Sequence, residues 1–131
     1  MRREALLWLA SAEEDLEDAK IAFELGRWFR VAFFSQQAVE KALKALFFVV
    51  LRREPPKTHI ITELYKQLRE AGFRLDIEDE LYFLNKYYVV TRYPDAANGL
   101  PSESVDRWEA ERALKIAERV IEVVRGLVTN S

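Results

Sequence analysis

Five polar side chains, Gln36, Gln37, Glu40, Lys41 and Lys44, interrupt "SQQAVEKALKAL" at 35–46, within one of the most apolar stretches of the chain. Glutamines and charges are costly to bury unless paired, so these residues require cross-helix partners, a solvent-filled groove or a second subunit. Acids that could answer them lie upstream: residues 1–25 hold seven acids against three bases, whereas between 41 and 59 Lys41, Lys44, Arg52, Arg53 and Lys57 face only Glu54. Two readings follow. In one, Asp15 or Glu14 pairs with Lys41 or Lys44 across a helix interface and Glu40 supports Lys44 at i, i+4, a purely structural arrangement. In the other, the same lysines and His59 line a small pocket for a phosphate. A further group, Arg92, Tyr93 and Asp95, offers a guanidinium for phosphate, a ring for stacking a base and a carboxylate acceptor. Equally, Tyr93 and Pro94 could anchor their loop while Arg92 and Asp95 pair with nearby groups.

Other chemistries lack their residues. His59 is the only histidine and there is no cysteine, so zinc, di-iron and thiol chemistry have no ligand or nucleophile set. Glycines fall only at 26, 72, 99 and 126, which cannot build a phosphate-cradling loop. No metal or cofactor is expected. A net charge of −2 denies the chain a global basic field, so any RNA contact must be local. The longest apolar run, "ALFFVVL", falls well short of the roughly 20 residues that span a bilayer, and the acidic amphipathic start is unlike a signal peptide. A cytoplasmic protein is expected. Few Asn, Gln and Met beside many Glu and Arg lean toward a thermophilic source.

Helices must position these groups. Leu9, Ala12, Leu16, Ala19 and Phe23 repeat at spacings of three and four, predicting an amphipathic helix over 5–24 that Gly26 closes. A central helix follows over 27–51, with Val31, Ser35, Ala38, Ala42, Ala45 and Val49 on one face, until Pro55 and Pro56 impose a loop. Shorter helices are predicted at 60–72 and at 76–90, the latter capped by Asp76. A loop over 91–104 precedes a last helix over 105–128, with Trp108 and Leu127 at the two ends of its apolar stripe. The fold class is all-α, an up-down bundle of four to five helices in one domain over 1–131. Phe33, Phe34, Phe47 and Phe48 exceed what one bundle core easily takes, which suggests a dimer.

Four ordered segments, "WLASAEEDLEDAK", "QQAVEKALKAL", "KTHIITELYKQL" and "YYVVTRYPD", resemble the HEPN (higher eukaryotes and prokaryotes nucleotide-binding) domain over residues 5–128. The resemblance implies a HEPN-like bundle that often forms homodimers and acts with a minimal nucleotidyltransferase in prokaryotic toxin–antitoxin or defence modules. Ribonuclease members carry an Arg followed four to six residues later by a His. Here Arg92 is followed at the sixth position by Asn98, and no histidine follows it at all. Arg53 and His59 have the spacing but fall in the earlier proline-rich loop, where His59 is expected to cap or pack the start of the third helix. The function expected is therefore a non-catalytic, dimeric binder of a nucleotide or RNA phosphate. Its binding candidates are Lys41, Lys44, His59, Arg92, Tyr93 and Asp95, supported by Asp15, Gln37 and Glu40. The alternative is a metal-independent ribonuclease toxin, which lacks the histidine worth about 10²–10⁴ in rate.

Overall fold

The computed structural model describes residues 1–93 and 99–130, and every element within them is a helix. Helix α1 spans Arg2–Glu24 and α2 spans Trp28–Leu46. Between them Gly26 takes φ +70°, the left-handed conformation that lets its amide and that of Arg27 turn back onto the carbonyls of Phe23 and Ala22. Phe23 meets Trp28 edge-on at 5.3 Å across the turn, so the hairpin is closed by an aromatic contact as well as by the backbone.

Helix α2 does not stop cleanly. Phe47–Leu51 continue it as a wide π-turn, ended by Arg52 at φ +56° before the prolines. Helices α3 (Ile61–Glu70), α4 (Glu78–Asn85) and α5 (Tyr87–Val90) are short, and a single 3-10 turn at Pro101–Glu103 leads into α6, Arg107–Thr129. Asp106 and Glu109 form a reciprocal capping box at the start of α6.

The layers follow from small residues on facing stripes. Ala12 and Ala19 of α1, Ala38, Ala42 and Ala45 of α2, and Ala110, Ala113 and Ala117 of α6 are fully buried, allowing these three long helices to pack against one another with α2 in contact with both. Larger side chains fill the rest of the core, among them Leu43 and Leu46 of α2, Phe47 of the π-turn, Leu64 and Leu68 of α3, and Leu81 and Leu84 of α4. No described helix is long and apolar enough to cross a membrane.

Two expectations are corrected. Trp108 is 76% exposed. It stands about 200° around the helix from buried Ala110, on the opposite face, and Leu127 at the other end of the stripe is also exposed. Asp76 does not cap α4, whose first turn carries no side-chain cap, but pairs with Arg119 at 3.0 Å. Of the four phenylalanines, Phe47 and Phe48 are buried in this one bundle, while Phe33 and Phe34 are half-buried and meet edge-on.

Candidate functional site

Helical spacing gathers the polar residues of α1 and α2 into one seam. On α1, Trp8, Ser11 and Asp15 recur at i, i+3 and i+7; along α2 and the π-turn that continues it, Phe33, Gln37, Lys41, Lys44 and Phe48 recur at intervals of three and four. Where the stripes face each other, the Lys41 ammonium sits 2.8 Å from Asp15 and donates to the Ser11 hydroxyl at 2.9 Å, and Gln37 donates to Asp15 at 3.2 Å. One turn further along α2, Lys44 reaches Glu40 at 3.0 Å and lies 5.4 Å from the centre of the Trp8 ring. Both members of that second pair are buried. Gln37, Glu40, Lys41 and Lys44 are thus paired from inside the bundle, as desolvated charges must be, whereas the buried Ser35 hydroxyl and the Gln36 side-chain oxygen meet no hydrogen-bond partner among the described residues.

The seam then leaves α2 toward two loops. Gln36, fully buried, donates to the His59 carbonyl at 3.1 Å, and the His59 ring brings Nδ1 within 3.0 Å of the same Glu40 oxygen that holds Lys44. That ring stacks on Tyr88 of α5, with centroids 4.8 Å apart and planes 11° from parallel. Arg92, just past α5, lies 4.1 Å from the Tyr88 ring centre and 4.4 Å from that of Phe33, donates to the Tyr88 carbonyl at 2.8 Å and reaches the Gln37 side-chain oxygen at 3.3 Å. Guanidinium and imidazole therefore share one tyrosine ring although 32 residues of sequence separate them.

Charge is unevenly cancelled. Asp15 answers Lys41 and Glu40 answers Lys44, but no carboxylate among the described residues pairs with Arg92. Burial lowers the pKa of Arg92 from the ordinary guanidinium value, an effect opposed by Tyr88, Glu40 and Tyr93, and a guanidinium stays charged at any working pH. When His59 donates its Nδ1 proton to Glu40, Nε2 is left as the open nitrogen of a ring that is 56% exposed. Beside His59, Trp8, Phe48, Pro55 and Pro56 wall a groove of about 400 Å³, with Lys44, Lys57 and Glu54 at its polar margin.

The HEPN domain profile matches residues 5–127. The chain belongs to the HEPN family. Its relatives include the candidate toxin MJ1304 of Methanocaldococcus jannaschii, 32% identical over 133 residues, covering 95% of this chain and 88% of that protein. Among solved structures, TT1696 from Thermus thermophilus superposes with a TM-score of 0.84 at 34% identity, covering 96% of this chain and 98% of its own. ST0689, an archaeal HEPN homologue, gives 0.78 at 31% identity with 95% and 98% covered. A HEPN domain protein from Thermotoga maritima, TM0613, gives 0.72 at 28% identity with 95% and 98% covered.

Within this HEPN bundle seven residues singled out from sequence fall into two hydrogen-bonded groups, Asp15, Gln37, Lys41 and Arg92 in one and Glu40, Lys44 and His59 in the other, which meet where Arg92 and His59 share the Tyr88 ring. Tyr93 stands 53% exposed at its edge and adds no side-chain hydrogen bond among the described residues. Asp95 and Asn98 lie outside the described residues. His59 packs near the start of α3 but does not cap it: the Ile61 amide is met by Asn85 at 2.9 Å and that of Ile60 by Thr58. Arg53 bonds Gln67 rather than His59, so the Arg53–His59 spacing has no structural counterpart. Sequence reasoning missed the parts played by Trp8, Phe33 and Tyr88. The i, i+3, i+7 register of Trp8 with Ser11 and Asp15 carried a signal for the first; nothing local pointed to Tyr88 as the ring between Arg92 and His59.

Proposed function

We propose that this HEPN protein is a dimeric module that holds a nucleotide or RNA phosphate at the Arg92–His59 edge and works with a minimal nucleotidyltransferase in a toxin–antitoxin or defence system. The observation that carries the reading is Arg92: a half-buried guanidinium, oriented by two rings, a carbonyl and a glutamine, that feels the Glu40 charge but forms an ion pair with no carboxylate among the described residues. A group held in that way offers its charge to an external anion without first breaking an ion pair. Lys41 and Lys44, matched by Asp15 and Glu40, keep the scaffold in register and supply less free charge. The name of the relative MJ1304 as a candidate toxin supports the toxin–antitoxin setting.

A second reading rests on the orientation of His59 by Glu40. A carboxylate on Nδ1 fixes the tautomer that exposes Nε2 as a general base, and Arg92 stands where a scissile phosphate could be held. The ribonuclease alternative thereby regains a histidine from a different part of the chain.

One experiment addresses both. A labelled single-stranded RNA is titrated against the wild type, Arg92→Gln and His59→Ala over a salt series, and the same mixtures are resolved for cleavage. Binding that weakens in Arg92→Gln, with the salt slope reduced by about 0.7 for one lost phosphate contact, supports the first reading. Cleavage lost in His59→Ala supports the second. No binding by the wild type removes both. Light scattering tests the dimer, and co-purification with a minimal nucleotidyltransferase tests that partnership.

A further inference from the structure

We infer that the groove between Trp8 and the Pro55–Pro56 turn is a base-binding subsite, so that the ligand of the Arg92–His59 edge is a single-stranded RNA segment with one nucleobase held in this groove. The inference rests on the phosphate reading above and adds to it the part of the ligand that phosphate chemistry cannot specify.

The groove has the size and the walls for a flat ring. Its volume of about 400 Å³ falls within the roughly 300–1,000 Å³ of small-ligand clefts. Trp8, Phe48 and the two prolines are apolar, and prolines lack the amide donors that would demand water. The Lys44 ammonium, 5.4 Å from the Trp8 ring centre, is already neutralised by Glu40, leaving the wall aromatic rather than strongly charged.

Charge complementarity identifies the occupant. Lys57 and Glu54 at the rim are both exposed and neither makes an ion pair or hydrogen bond among the described residues, so a free cation for a phosphate and a free carboxylate that can accept from a base amino group stand beside an apolar slot. An apolar ligand would leave that cation unused and a bare phosphate would leave the rings unused. A nucleotide uses both. His59 makes the groove continuous with the Arg92 edge, since its ring lines the groove and also stacks on the tyrosine that Arg92 covers. A base enters such a slot only when unstacked from a partner strand, which selects single-stranded over double-stranded RNA.

The test compares a short RNA with the same RNA carrying abasic nucleotides and with its duplex, titrated against the wild type, Trp8→Leu, Trp8→Phe, Tyr93→Ala and Arg92→Gln, each checked for cooperative unfolding. The intact strand is expected to bind the wild type roughly 5- to 150-fold more tightly than the abasic strand, the span of one base–aromatic stack. Trp8→Leu should close that gap and Trp8→Phe should keep most of it. Equal binding of intact and abasic strands, with both weakened by Arg92→Gln, overturns the base subsite while leaving the phosphate reading in place. A gap closed by Tyr93→Ala and not by Trp8→Leu puts the base elsewhere and overturns it too, as does a duplex that binds as well as the single strand. If no strand binds, the phosphate reading fails and this inference with it.

Discussion

Breaking the Glu40–Lys44 pair tests whether the polar seam is an electrostatic unit or a set of independent side chains. The two charged groups lie 3.0 Å apart with side-chain exposures of 7% and 8%, so removing one strands the other where water hardly reaches. Glu40→Leu leaves the Lys44 ammonium with only the weak attraction of the Trp8 ring, and loss of one partner of a buried pair costs about 3–5 kcal/mol. Lys44→Met is milder, because His59 Nδ1 still faces the Glu40 carboxylate at 3.0 Å; about 1–3 kcal/mol is expected. The double variant removes both charges and buries two apolar chains of similar size, which brings stability back to within about 1–2 kcal/mol of the wild type. Urea unfolding of the four proteins measures the cycle. With a slope of about 2 kcal/mol per molar for a domain of this size, Glu40→Leu lowers the midpoint by about 2 M. The coupling should exceed about 2 kcal/mol. Losses that add to within about 0.5 kcal/mol would refute the reasoning, since they would mean that Lys44 is solvated in the folded protein.

The remaining expectations are simpler. Tyr87, buried and donating to Glu109, has its pKa raised above the ordinary value of 10.0, by burial first and by Glu109 second. Its contribution is thus fully present below pH 10.0 and is lost as the pH rises toward the folded value, because the unfolded phenol gives up its proton first. Tyr87→Phe should flatten the fall in stability between neutral pH and about pH 11, read by urea titration at each. Arg52 holds a left-handed conformation with no side-chain partner among the described residues, so Arg52→Gly should raise stability by up to about 1 kcal/mol, seen as a higher thermal midpoint, where Arg52→Ala gives no gain. Trp108→Lys should change stability by no more than about 0.5 kcal/mol, as a surface position would, whereas a core tryptophan would cost several times more in the same thermal scan.

Much of the bundle was legible in the residues because helical burial is periodic. The stripe from Leu9 to Leu16 on α1 and the alanines of α2 appear where the spacing places them, and Gly26 closes the first hairpin as expected. Spacing misplaced Trp108, since a large apolar side chain invites inclusion in a stripe that small alanines define. It also assigned Asp76 to a cap, because an acid before a helix is a good cap only when no better partner exists, and Arg119 arrives from 43 residues away.

By itself the sequence determined that the polar side chains of the central helix require cross-helix partners, a solvent-filled groove or a second subunit, because desolvation leaves an unpaired charge no stable place inside a bundle. The Glu40–Lys44 pair at i, i+4 was already legible, and tertiary structure alone decided that Asp15 rather than Glu14 meets Lys41. It also brought His59 from the proline-rich loop and Arg92 from beyond α5 onto a single tyrosine ring. Local periodicity encodes which face of a helix is buried, whereas the meeting of two loops depends on how the helices that carry them are packed, and no spacing along the chain records that.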